Sequence, residues 1–296
     1  DKDFFTDLDN DPNTRTELNQ RRAWQLNYGN GIPGLKAQLR VEDFQTIDPD
    51  LADIDRPYAR LPQLLVNYTK GDVQGLEFEF NNDTAYFKKN IRDFENQAEP
   101  NGTRIFNEMA LRYNLKQPWG FVVPEVSVRS LNNFYDQDTV ENANFRSNSE
   151  DKSVVVPQFT LDTGLTFERE GKYLQTLSPR AFYAYAPHQN QDDYPNFDST
   201  AASLNYDQLF NPKRFYGHDR LEDNNFLSLG LSYSLFGTTG LEKLRTSIGQ
   251  SFYFDDRKVT LNNSQNDPFN TERQTGPVIS IASQLSQNFS VNANSM

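Results

Sequence analysis

The chain has 296 residues, a net charge of −12, only 36% hydrophobic residues and no cysteine, yet it carries 23 Phe and 14 Tyr. So many aromatics exclude a disordered chain, the missing cysteines exclude a disulfide framework, a thiolate metal site and a cysteine nucleophile, and the acidic balance opposes nonspecific binding of nucleic acid. No run of about 18 apolar residues is present to make a transmembrane helix, but a sheet that is oily on one face and wet on the other has this average composition, as in a membrane β-barrel.

The opening DKDFFTDLDNDPN is no positively charged, apolar signal segment; it starts as a loop, and the true beginning of the protein is expected to lie outside the chain. The first strand is expected at Arg22 to Tyr28, where Trp24, Leu26 and Tyr28 alternate with Gln25 and Asn27. After the turn GNGIPG the period resumes at Leu35, Ala37, Leu39 and Val41, and an acidic loop runs from Thr46 to Arg60. Leu64, Val66 and Tyr68, the turn KGDVQG, then Leu76, Phe78 and Phe80 against Glu77, Glu79 and Asn81 repeat the layout. Ile105 to Leu115 and Val122 to Val128 flank KQPWG, and Val155 to Phe167 shows the clearest alternation, against Gln158, Thr160 and Asp162. EREGK leads to Tyr173–Ala186. Leu227 to Leu235 opposes a face of Ser228, Gly230, Ser232 and Ser234; GTTG, Leu244 to Phe254, Val278 to Leu285 and Phe289 to Ala293 complete the series.

Short turns thus alternate with long loops, about 46–60, 88–102, 135–152, 187–223 and 255–275, between strands long enough to cross a bilayer at a tilt. The expectation is an all-β chain forming one domain over 1–296: about twelve strands of a larger antiparallel transmembrane barrel, incomplete at both ends, with the long loops at the cell surface. Leu161→Arg on the oily face is expected to impair assembly and Ser232→Asn on the wet face to be tolerated. Pro62, Pro124, Pro157 and Pro179 lie in or at the start of strands, each followed by a polar residue expected to face inward; they mark strand starts, bulges or weakened pairing.

Catalysis has little to draw on. Only His188 and His218 are present, no Ser has a hydrolase nucleophile context, and Asp7, Asp9 and Asp11 lack the Gly and Glu of a calcium loop. Asp48, Asp50, Asp53 and Asp55 are read as solvated loop charge that could share divalent cations with a lipid-A leaflet. No enzyme activity, cofactor or nucleic-acid partner is expected.

The stretch from Leu177 to Arg220 stands apart, because its aromatics are interleaved with Asp, Asn, Arg and Gln, too polar for a core and too aromatic for a linker. Its segment PRAFYAYAPHQNQDDYPNFDS…SLNYDQLFNPKRFYGHDR, with FFTDLDN, VPQFTLD and DNNFLSLGLSYSLF, resembles the LptD (OstA/Imp) family of lipopolysaccharide-assembly proteins of the bacterial outer membrane. The resemblance implies the middle of a very large barrel that holds an LptE-type plug lipoprotein and sits among outer-membrane lipid. It further implies that lipopolysaccharide arrives from a periplasmic bridge protein through a jelly-roll domain outside this chain, and leaves by a lateral gate also outside it. The family motif falls on Pro179, Arg180, Tyr183, Tyr185, Gln191, Phe197, Asp198, Tyr206, Leu209, Phe210, Arg214, Gly217, Asp219 and Arg220. Arg180, Asp198, Asp219 and Arg220 are expected to pin loop 187–223 against the wall, Gly217 to allow a turn, and the aromatics to anchor it; contact with glycan or plug is the other role open to them. A passive porin-type channel is the alternative function.

Overall fold

The computed structural model describes residues 19–29, 31–48, 50–89, 100–136, 151–261, 268–286 and 289–295. Twelve long strands form one antiparallel sheet in chain order: β1 (Asn19–Tyr28), β2 (Leu35–Thr46), β3 (Ala59–Val73), β4 (Leu76–Lys88), β5 (Gly102–Tyr113), β7 (Gly120–Tyr135), β8 (Lys152–Leu165), β10 (Leu174–Ala186), β13 (Asn224–Phe236), β14 (Glu242–Tyr253), β15 (Val278–Ser286) and β16 (Phe289–Ser295). Short β6 (Leu115–Gln117) and β9 (Phe167–Arg169) prolong β5 and β8 past a one-residue break, and β11 (Thr200–Ala201) with β12 (Phe215–Tyr216) makes a separate ribbon inside loop 187–223. Among the described residues β1 and β16 do not pair, so the sheet is open, as expected of part of a barrel. The stretch FFTDLDN, the Asp7–Asp9–Asp11 series and most of loops 88–102 and 135–152 lie outside the described residues, as does 262–267.

Alternation places Leu26, Leu39, Leu64, Phe78, Leu111, Val126, Phe159, Leu229 and Ile248 on one face, all exposed. The other face carries Gln63, Asp83, Glu108, Ser127, Gln158, Thr160, Ser228, Ser247 and Ser251, all buried. A monomer with its apolar side chains exposed and its polar ones covered is inside out for water and correct for lipid.

The strands continue past the residues whose apolar alternation marks them, up to the long loops, and the reason is a change of polarity along them. On the outward face Phe80, Met109 and Val128 give way to Asn82, Asn107 and Ser130, which are hydrogen-bonded side chain to side chain across β4, β5 and β7. Beyond that level the inward face turns apolar: Ala85, Phe87, Phe106, Leu131, Val154 and Val156 are buried beneath loop 187–223. In β4, β5, β7 and β8 one end therefore presents its oily side outward, and the other end buries it against the protein's own loop.

The four strand prolines all sit where a ladder is interrupted. Pro62 lies in the register shift between Arg60 and Gln63. Pro124 faces the break between β5 and β6, and Pro179 the break between β8 and β9. Pro157 lies past the last β8–β10 pair, Phe159 with Tyr185. A residue without an N–H is placed where no partner asks for one, and Gln63, Glu125, Gln158 and Arg180, which follow them, share the polar face.

Candidate functional site

Loop 187–223 lies across the polar face from β3 to β14, fastened by charge at one side and by shape at the other. The charged fastening centres on Arg104 of β5, whose side chain is fully buried and donates to Asp198 (2.5 Å), Asp219 (2.6 Å) and Asp83 (3.1 Å). Arg60 of β3 bridges Asp198 to Glu42 of β2. Asp219 also accepts the backbone N–H groups of Asp198 and Ser199, both at 2.9 Å, so one carboxylate folds the loop and docks it. His218 stacks on Phe106 at 3.9 Å and places Nδ1 3.0 Å from Asp83. Phe197 stacks on Phe87 at 4.5 Å with Tyr58 at its edge. A second buried ion pair, Arg129 to Glu222 at 2.7 Å, holds the loop to β7.

The shape fastening is a knob in a dimple. Tyr206, Leu209 and Phe210 enter the polar face at Gly230 of β13 and Gly249 of β14. A Cβ on Gly230 would come within 2.5 Å of Phe210 and 2.7 Å of Tyr206, and one on Gly249 within 2.7 Å of Leu209. Phe210 cannot retreat easily, because Arg180 lies 4.3 Å above its ring and is itself held bidentately by Asp162. Gly230→Ala is therefore expected to cost about 1–3 kcal/mol as an overpacked contact, seen as faster proteolysis within 187–223 while the sheet remains intact. Ser232, expected from the sequence to tolerate Asn, instead bonds Tyr206 Oη at 2.9 Å and Ser247, so enlargement there meets the knob.

Burial alone would raise the Asp198 carboxyl, but Arg104 and then Arg60 overbalance it and hold the group below the ordinary carboxylate range. A folded-state pKa below the unfolded one adds stability that is present above about pH 4 and lost as pH falls through the lower folded value. Protection from hydrogen exchange in 195–220, relative to the unfolded chain at the same pH, is expected to hold at pH 5 and to fall only in stronger acid.

Of the motif residues, Arg180, Phe197, Asp198, Tyr206, Leu209, Phe210 and Asp219 meet at these fastenings. Gln191 clasps Leu221 through its backbone N–H and C=O, each at 2.8 Å; Arg214 pairs with Asp223 at 2.7 Å; Arg220 donates to Tyr194 O and Pro195 O. Gly217 has φ +89°, and a Cβ there would lie 2.5 Å from Ser199 Oγ. Pro179, Tyr183 and Tyr185 are a correction to the loop-or-lumen grouping: period 2 turns them outward, where Tyr183 packs near Phe159 and Phe254 and Tyr185 is exposed. Such aromatics at the edge of an apolar band form an interfacial girdle. Arg60, Asp83, Arg104, Arg129, His218 and Glu222 were missed as a group. The available signal was the inward parity of Arg104 and Arg129, each next to one outward apolar residue, Ile105 and Val128.

A cavity of about 950 Å³ remains at β2 to β4, where Gln38, Asn67, Asn81, Asp83 and Glu108 share the lining with Tyr28, Ile32, Leu35, Leu65 and Phe106, bounded by Lys213 and His218 of the loop. The wall thus combines an apolar belt, a wet inner face and a braced inward-folded loop. The LPS-assembly protein LptD of Acinetobacter baumannii is 67% identical over 295 residues, covering 100% of this chain and 36% of that protein. The protein of the same name from Acinetobacter baylyi is 64% identical, and that from Psychrobacter cryohalolentis 36% identical over 96% of the chain. The chain spans about a third of the length of these relatives. Residues 1–295 match the family described as LptD, LPS transport system D, and the chain belongs to that family.

Proposed function

We propose that this chain forms wall, lumen and lid of a translocon that inserts lipopolysaccharide into the outer leaflet. LptD-family proteins are outer-membrane β-barrel transport proteins, and the apolar belt suits that location. The observation that carries the reading is the wet inner face, lined with amides and carboxylates beside a 950 Å³ cavity and covered at one end by loop 187–223. A polar glycan can pass such a face while loops 46–60, 88–102, 135–152, 187–223 and 255–275 lie at the cell surface. The wall moves an existing molecule and breaks no bond. An LptE-type plug lipoprotein within the lumen, a periplasmic bridge protein delivering cargo to a jelly-roll domain and surrounding outer-membrane lipid complete the assembly.

Photocrosslinking in cells from Gln38 and Asn67 of the full-length protein tests this. Adducts to lipopolysaccharide or to a lipoprotein are expected. Assembled, surface-exposed protein that yields neither, yet conducts small solutes, would favour the porin-type reading. Asp219 and Ser228 are fully buried and Ser232 bonds Tyr206 of the loop, so none of the three suits a probe.

A further inference from the structure

A second cavity, of about 300 Å³, lies where β4, β5, β7, β8 and β10 pass beneath Asn211, Pro212 and Lys213 of the loop. Its walls carry Glu79, Glu108, Glu125 and Asp162. Their charge is already largely matched: Arg112 holds Glu79 at 3.2 Å and Glu125 at 2.7 Å, Arg180 holds Asp162 at 2.6 Å, and Lys213 holds Glu108 at 3.2 Å. Three fixed cations leave a free metal ion little field to bind in, and the carboxylates repel phosphate. What remains is hydrogen-bonding capacity.

Gln158 shows this most directly. It is 5% exposed, lines the cavity, and its Oε1 is buried with no partner among the described residues. Ser127, opposite it in the β7–β8 register, has a buried Oγ in the same condition. Buried polar groups are rarely left unmet, so Gln158, which lines the cavity with Ser127 behind it in the register, marks where a ligand or water completes it. Thr160 adds a hydroxyl to the lining and Phe182 an apolar ring. Paired carboxylates that still accept, an unpartnered amide oxygen and an apolar surface together complement a neutral molecule with many O–H donors and C–H faces.

We propose that this cavity is a subsite for uncharged sugar residues, which donate hydroxyls to Gln158 and to the arginine-paired carboxylates. The proposal rests on the reading that a glycolipid crosses this lumen, and it locates where the glycan is gripped. The test uses the full-length protein in cells, with p-benzoylphenylalanine at Val123, which lines the cavity, or at Gln38, which lines the larger one. Each probe is introduced in a strain making the full glycan and in one whose lipopolysaccharide is truncated to its innermost sugars. The Val123 adduct is expected to fall about tenfold on truncation, equivalent to about 1.4 kcal/mol, and to fall several-fold with Gln158→Met, a change of similar size, while the Gln38 adduct persists in both. A Val123 adduct indifferent to truncation or to Gln158→Met, or missing where Gln38 still crosslinks, would overturn the subsite and leave the cavity to water. Silence at both positions in assembled protein would instead overturn the transport reading and the subsite with it.

Discussion

Arg104→Leu is expected to free loop 187–223 from the wall without dismantling the wall. The substitution leaves Asp83, Asp198 and Asp219 facing one another without the guanidinium that joins them. Breaking a buried ionic hub by removing one member typically costs 3–5 kcal/mol, because the remaining charges stay desolvated. The sheet has its own continuous ladder, β4 with β5 and β5 with β7, so the loss falls on the loop. Limited proteolysis should cut within 187–223, and cells should become permeable to large antibiotics if the loop closes the lumen. Arg104→Lys should be intermediate, since one ammonium cannot reach three carboxylates in the geometry of a planar fork. A loop equally protected in all three proteins would show that the shape fastening at Gly230 and Gly249 suffices.

The second large effect is expected on the opposite face. Leu161 and Ser153 share β8 and its outward side, eight residues apart, or about 27 Å along the strand. Leu161→Arg places a charge within the apolar band, at a cost of about 2–4 kcal/mol if near the bilayer midplane, whereas Ser153→Arg lies past Val155, where the outward face has turned polar, and should cost about 0–1 kcal/mol. The measurement is the fraction of heat-modifiable, folded protein recovered in the outer membrane. Equal losses would mean that the apolar band does not end where Asn82, Asn107 and Ser130 begin.

The sheet was legible in the sequence because lipid on one side and water on the other impose period 2, and Val155 to Phe167 shows it with little interruption. The far ends of the strands showed only through the loop bounds, not through the alternation: after Phe80 the outward face carries Asn82 and the inward face Ala85 and Phe87, so the oily face fades although β4 continues to Lys88, where loop 88–102 was placed. The loop motif was legible as unusual; of the residues expected to pin it to the wall, Asp198 and Asp219 reach Arg104 of β5, whereas Arg220 donates to the loop carbonyls of Tyr194 and Pro195. What it braces against was not legible, since Arg104 lies 94 residues before Asp198 and Arg60 lies 138 before it. Tyr183 and Tyr185 were grouped with the loop because they adjoin it in sequence, while alternation along β10 sends them to the other side.

The loop's contacts have a mechanical meaning. Asp198 is tied to β3 and β5, Glu222 to β7, Phe210 rests under Arg180 of β10, and Tyr206 and Leu209 seat on β13 and β14. A segment attached at both sides of a curved wall acts as the chord of an arc: flattening the wall would stretch it, and tightening the curve would buckle it. This portion of the sheet is therefore a stiff stave, and any widening of the wall has to be taken up at seams between strands that the chord does not cross.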